Sequence, residues 1–241
     1  MARLTLLRHA TLLVEADDTT LLVDPMLSAP GEIPPIPNSP NDRENPLVEM
    51  PDVPLDYDAV LVTHRHRDHF DDAARERVPD DTPILCQPVE ADDFREEGFE
   101  DVRPVDDEIT FEGIDLSRTP ARHGHGDLAE QMAPVSGFVL DAGTRLYLAG
   151  DTVWYDAVPE TLDEYDPEAV VVNAGAAQFV EGQPITMDDD DVQAVVDHVD
   201  ADVPVIADHM DSINHCLLTR EELRAAVDGV TIPADGETVE L

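Results

Sequence analysis

Short apolar runs recur along the chain, each closed by turn residues and several followed at once by a carboxylate or an imidazole. Residues 4–7 and 11–14 read as strands, Ala16-Asp17-Asp18-Thr19 as a turn, and 20–23 as the returning strand that ends in Asp24-Pro25. The run Ala59-Val60-Leu61-Val62 predicts a buried strand, with a helix opening over 70–75. Further strands are expected at 82–85 and, by alternation, at 110–116 as one edge or half-buried strand; a short acidic helix at 90–97 is stopped by Gly98. Residues 136–141 and 144–149 form a hairpin about Ala142-Gly143, and 169–172 and 203–207 are again apolar strands. Between these two, Thr186 is expected to cap a helix over 187–199, because Val192, Val195, Val196 and Val199 have helical spacing. A capping box, Thr219-Arg220-Glu221-Glu222, starts the last helix, with Leu223, Ala226 and Val227 as its buried stripe and Gly229 as its stop.

One stretch breaks the rhythm. From 28 to 54 prolines crowd together with no period of either kind, so a long loop is expected. It joins Asp24 to the strand leading to His64, which favours a lid near the site over a docking tract. The length of 241 residues and the absence of a strong linker favour one domain over 1–241.

Charge changes the picture of the surface rather than of the core. The formal net charge is −41, yet hydrophobic residues make up 42% and the acids lie between the apolar runs, so a folded, acid-coated protein is expected. All 14 basic residues are arginine. Such a lysine-free, acid-rich composition is expected of a halophilic organism, in which molar salt cuts the Debye length to roughly 3 Å and screens self-repulsion. Without lysine, Schiff-base and P-loop chemistry are excluded. Cys86 and Cys216 are too few for a disulfide framework; with no signal peptide and no membrane-length apolar run, a cytoplasmic protein is expected. No basic stripe exists to track phosphates, so no nucleic-acid or membrane partner is expected, only a small-molecule substrate.

Chemistry concentrates in Thr63-His64-Arg65-His66-Arg67-Asp68-His69-Phe70. Neutral imidazole and carboxylate donors suit zinc, manganese or iron, and the absence of cysteine points to a catalytic rather than a closed structural site. On a strand-to-helix turn, His64 and His66 can point one way while Asp68 and His69 turn to a second position, so one loop serves two metals. His123 or His125, set between small residues, offers a further ligand. Asp151 and His209 follow apolar strands, where open sheets carry their sites. Asp24, also at a strand end, is expected to orient its neighbours. His9 reads as an ordinary hydrogen-bonded strand histidine, and His198 as structural or solvated. Gly124-His125-Gly126-Asp127-Leu128-Ala129 matches a dinucleotide fingerprint, but the polar, proline-interrupted 118–122 does not supply its strand.

The H-x-H-x-D-H run, followed in order by the His123 region, Gly150-Asp151-Thr152 and His209, resembles the metallo-β-lactamase superfamily. Leu22-Val23-Asp24-Pro25, Asn173-Ala174-Gly175 and Thr186-Met187-Asp188 are similar to the branch of L-ascorbate-6-phosphate lactonase. The resemblance implies an α+β fold, a four-layer αββα sandwich with metals at one edge of the sheets. It also implies His64, His66 and His123 on one metal, Asp68, His69 and His209 on the other, and Asp151 bridging. His125 is the alternative to His123. His209 is preferred to His215 because it directly follows a strand, leaving His215 as a pocket residue facing substrate or leaving group.

The expected function is a binuclear hydrolase with two divalent ions, zinc first and manganese or iron as alternatives, which share a metal-bound hydroxide. A lactone or other ester-like small molecule is the expected substrate, with a phosphodiester as alternative. Asp68 is the expected general base. The rival of another class is a non-catalytic metal-binding or regulatory protein of the same fold.

Overall fold

The computed structural model describes residues 2–16, 18–132 and 134–241. The turn expected at 16–19 includes Asp17, which lies outside the described residues.

The first sheet is built from β1 (Arg3–Arg8), β2 (Thr11–Ala16), β3 (Thr19–Val23), β4 (Ala59–Val62), β5 (Ile84–Cys86) and β6 (Val102–Pro104) in chain order. The second contains β7 (Glu108–Phe111), β8 (Ile114–Pro120), β9 (Ser136–Asp141), β10 (Arg145–Leu148), β11 (Ala169–Asn173), β12 (Val205–Asp208) and β13 (Val230–Thr231). Strand β14 (Thr238–Glu240) then returns to pair with β1. In each sheet three antiparallel pairings are followed by three parallel ones. The two halves share this topology without a visible sequence repeat.

Strand periodicity explains the layers. Leu12, Val14, Leu21, Val23, Leu61 and Leu85 pack against Leu116, Phe138, Leu148 and Val171 between the sheets. The alternate residues Leu13, Leu22, Val60 and Val62 face outward, onto Ala74 and Val78 of one flank and Phe94 and Phe99. On the other sheet Tyr147, Val170, Val172 and Val205 pack on Val158, Leu162, Val192, Val195 and Leu223. Both faces of the central strands are thus covered, which is why their sequences run apolar without a polar face. Helices α1 (Asp72–Arg77) and α2 (Ala91–Glu96) flank the first sheet. A seven-residue helix, α3 (Gly126–Met132), joins β8 to β9, and α4 (Ala157–Tyr165), α5 (Asp189–His198) and α6 (Arg220–Ala226) flank the second sheet. The result is the expected α+β, four-layer αββα sandwich.

Several local expectations change. Residues 108–120 form a hairpin rather than one strand, because Glu112 and Gly113 both adopt positive φ (45° and 88°). Strand β6 and helix α4 were not expected. Asp188, not Thr186, caps α5 by accepting from Asp191 N, while Thr186 Oγ1 accepts from Ala177 N (2.9 Å). Asp71 caps α1, so the helix starts after Phe70. The capping box of α6 is formed, but Ala226 is exposed and Leu223 and Val227 carry the packing. A strand (β8) and a helix (α3) do flank Gly124-His125-Gly126, yet β8 is antiparallel to both neighbours, so the parallel βαβ unit of a dinucleotide site is missing.

The proline-rich segment is tied down from both sides. The fully buried Arg8 guanidinium donates to the carbonyls of Met26, Ser28 and Val48. Asn45 Nδ2 donates to Asn214 Oδ1 (2.9 Å) and Asn214 N to Asn45 Oδ1 (2.8 Å), while Ile33 packs on Met26 and Ile213. No helix among the described residues is long and apolar enough to cross a membrane.

Candidate metal centre

The turns after β4, β8, β10 and β12 meet the β1–β2 turn at one edge of the sandwich. His64, His66, His123 and Asp151 form one cluster, and His9, Asp68, His69 and His209 a second; within each, the potential ligand atoms all lie within 4.8 Å of one another. The loop after β4 feeds both, because the chain reverses there: the amide N–H groups of His69 and Phe70 donate to His66 O (2.9 and 3.0 Å).

Four of the rings are oriented by a partner on the far nitrogen. Thr63 donates to Asp24 through its backbone N (2.8 Å) and Oγ1 (2.7 Å), so Oγ1 is left to accept from His64 Nδ1 (3.1 Å). His69 Nδ1 donates to Asp24 Oδ2 (2.8 Å). His123 Nδ1 donates to Ile185 O (2.8 Å), and His209 Nδ1 faces Cys216 Sγ (3.6 Å). In His64 and His123 this leaves the Nε2 lone pair directed inward, the tautomer a metal ligand needs, while Nε2 of His69 and of His209 face the Asp151 carboxylate. Asp24 therefore acts as an orienting carboxylate.

Asp151 stands between the clusters. Its Oδ2 is 3.3 Å from His123 Nε2, 3.4 Å from His69 Nε2 and 3.7 Å from His64 Nε2, and its Oδ1 is 3.2 Å from His209 Nε2. Asn173 Nδ2 donates to Oδ1 (2.7 Å) and fixes the carboxylate plane. The chain reaches this position because Gly150 takes φ of 65° with Ser136 O pressed against it, leaving no room for a Cβ.

Burial, reinforced by the neighbouring imidazoles, pushes His64 well below its ordinary pKa, and burial lowers His66 and His209. Burial opposes the charge on Asp151 as well, but His209, His69 and His123 hold it well below the usual carboxylate range. His69 is the exception: burial is outweighed by Asp151 and Asp24, which raise it well above its ordinary value. A proton on that ring stands where a cation would. The donor set fits divalent ions: lone pairs of neutral imidazoles and ionised carboxylates converge, and no thiolate joins either cluster. Two nitrogens bound at about 2.1 Å to one ion lie roughly 3.0 to 3.4 Å apart for angles from square to tetrahedral. The separations His64 Nε2–His66 Nδ1 (2.9 Å) and His69 Nε2–His209 Nε2 (3.3 Å) match that spacing.

All seven residues expected as ligands are brought together. His123 joins a cluster, whereas His125 is half-buried and outside both. His215 is also outside them, 6% exposed, with Nδ1 buried and without a partner; burial pushes its pKa down to about 4. His198 pairs with Asp163 on the surface (2.9 Å). Sequence reasoning missed His9, which is fully buried inside the second cluster and not an ordinary strand histidine. Its signal was a histidine at the tight turn between two strands with apolar stretches, Leu6-Leu7 and Leu12-Leu13-Val14. It also missed Asp208, whose two oxygens are buried without partners and whose pKa burial raises well above the usual range.

Residues 19–225 match the family model described as the β-lactamase superfamily domain. The UPF0173 protein YddR of Bacillus subtilis is 36% identical over 98% of both chains. The chain belongs to the UPF0173 family of metal-dependent hydrolases. Among solved structures, this UPF0173 protein is similar to the isothiocyanate hydrolase from Delia radicum gut bacteria, at 35% identity over 99% of each chain with a TM-score of 0.92. It is equally similar in fold to a possible metal-dependent hydrolase from Veillonella parvula, at 31% identity over 100% of each chain with a TM-score of 0.94. The UPF0173 protein is thus an enzyme, a metal-dependent hydrolase, with two candidate metal-binding clusters.

Proposed function

We propose that this hydrolase holds two divalent ions, zinc first and manganese or iron as alternatives, and cleaves a small uncharged ester-like substrate. The carrying observation is the Asp151 carboxylate, within 3.4 Å of rings from both clusters. In this reading His64, His66 and His123 hold one ion, Asp68, His69 and His209 the other, and Asp151 spans them. Bound there, the ions would supply Lewis acidity and a water acidic enough to react near neutral pH. Asp68, held by His9 through Oδ2, would both face the second ion and orient the attacking water as general base. His215, neutral over the working range, faces the substrate as a hydrogen-bonding group rather than as a cation.

A cleft near His215 offers a place for the substrate. It has a volume of about 720 Å³ and is lined by Leu128, Met132, Phe179 and Val180 together with the polar Asn38, Gln131 and Glu181; it reaches the metal centre's surroundings through Phe179 rather than through a ligand. Phe179 lies with its ring centroid 6.1 Å from that of His215. Four apolar lining residues, with an acid and no cation beside them, suit an uncharged substrate with an apolar substituent and disfavour a phosphodiester. A lactone or other ester carbonyl, the class implied by the likeness to L-ascorbate-6-phosphate lactonase, fits it. So does an isothiocyanate carbon, a second reading favoured by the likeness to the isothiocyanate hydrolase. The anchored segment 28–54 acts as a fixed cover, and the unbridged Cys86 and Cys216 suit a cytoplasmic setting. The test is turnover, with zinc, manganese or iron in molar KCl, of a panel of lactones, aryl esters, alkyl isothiocyanates and bis(p-nitrophenyl) phosphate. Hydrolysis of an uncharged carbon electrophile is expected; turnover confined to the phosphodiester would overturn the substrate assignment.

A further inference from the structure

His9 is held in a way that packing alone does not require. It sits between β1 and β2 with φ of 59°, a left-handed conformation that a histidine adopts at a cost, and its side chain is fully buried. Three of its groups engage the second cluster. Its carbonyl accepts from His209 N (3.0 Å), its ring lies against that of His209 with centroids 3.6 Å apart, and its Nε2 is 3.2 Å from Asp68 Oδ2. Because an ionised carboxylate only accepts, Nε2 carries the proton and donates it. That leaves Nε2 no lone pair for an ion, and the lone pair on the buried, unpartnered Nδ1 diverges from the Asp68 side of the ring. The ring geometry agrees, since imidazoles radiating from one ion diverge, whereas His9 and His209 are tilted by only 36° at 3.6 Å.

We propose that His9 is a positioning residue of the second metal site, holding Asp68 by a hydrogen bond and His209 by ring and carbonyl without itself being a ligand. This rests on the binuclear reading above. The strained turn then has a use: from the β1–β2 corner His9 reaches both Asp68, which follows β4, and His209, which follows β12. The arrangement resembles in kind the way Asp24 orients His69, but it acts on two ligands at once. A site whose ligands are pre-aligned loses less freedom when an ion binds, and removing such an orienting partner typically weakens affinity about 10–100-fold.

The test is a Co²⁺ titration of the chelator-stripped full chain, followed by visible absorption, for the parent, His9→Gly and His9→Asn. Glycine accepts the positive φ and removes the ring; asparagine tolerates that φ and restores a side-chain donor. The parent is expected to take up two ions. His9→Gly should bind the first with parental affinity and the second about 10–100-fold more weakly, with an altered second-ion spectrum, and His9→Asn should recover part of the loss. The first ion is the internal control, because general destabilisation would weaken both. A second-ion affinity in His9→Gly within twofold of the parent would overturn the proposal. So would loss of the second ion in both variants alike, which would make His9 a ligand. A parent that binds fewer than two ions would instead contradict the binuclear reading beneath it.

Discussion

Asp24 and His69, 45 positions apart in sequence, are joined by a 2.8 Å hydrogen bond from the ring Nδ1 to the carboxylate Oδ2. The same carboxylate accepts twice from Thr63, so one buried acid at the end of β3 sets both the ring of the second cluster and the start of the loop that carries the first. Asp24→Asn keeps an acceptor for Thr63 but cannot satisfy all three donors. The second ion, whose ligand His69 it touches directly, should be retained about 10–100-fold less tightly, and the first, reached only through Thr63, should be weakened less. Metal content after graded chelation measures it; equal retention of both ions would show that Asp24 does not orient His69.

Glu90 supplies a pH prediction from a group that is not itself a ligand. Its Oε1 accepts from Arg65 N (2.8 Å), bracing the loop between His64 and His66, while Oε2 is buried without a partner. Burial raises its pKa to about 7, against the lowering effect of the hydrogen bond from Arg65. The folded chain therefore holds a proton that the unfolded chain, with an ordinary value near about 4.3, has lost. Its contribution to stability should fall as pH rises from roughly 4.5 to 7 and then stay level. Glu90→Gln removes that slope and should be the more stable protein at pH 8. Thermal melts of both proteins across pH 4–9 check it, and parallel curves would refute it.

The acid-rich, lysine-free surface predicts a salt response. With a formal charge of −41, melting temperature should rise steeply between dilute and molar KCl as screening relieves repulsion among unpaired carboxylates. Equal melting temperatures at the two salts would assign the acids another role.

Much of this architecture was readable because the strands are short apolar runs closed by turn residues. Val60, Leu61 and Val62 alternate between two cores, and the run was predictable from its apolar composition alone. The dense His64–His69 run was equally visible, since four donors in six positions need no tertiary knowledge. What stayed hidden depends on the third dimension. His9 becomes informative only when the β1–β2 corner is brought against His209, and Arg8 reads as a surface charge until the carbonyls of 26, 28 and 48 close around it. The choice of His123 over His125 is made by one hydrogen bond, to Ile185 O, from a loop 62 residues away. Helix α4 escaped because its apolar residues, Val158 and Leu162, are too few to stand out among acids.

The central claim is that Asp151 serves two ions, and metal content combined with single-turnover hydrolysis tests it most directly. The parent, purified without chelator, should carry close to two equivalents. Asp151→Ala should weaken both sites and abolish hydrolysis, because each cluster loses its shared anionic donor and the imidazoles carry no compensating charge. Asp24→Ala, measured beside it, should lose less. Retention of both ions with ordinary turnover in Asp151→Ala, while Asp24→Ala loses them, would contradict the account.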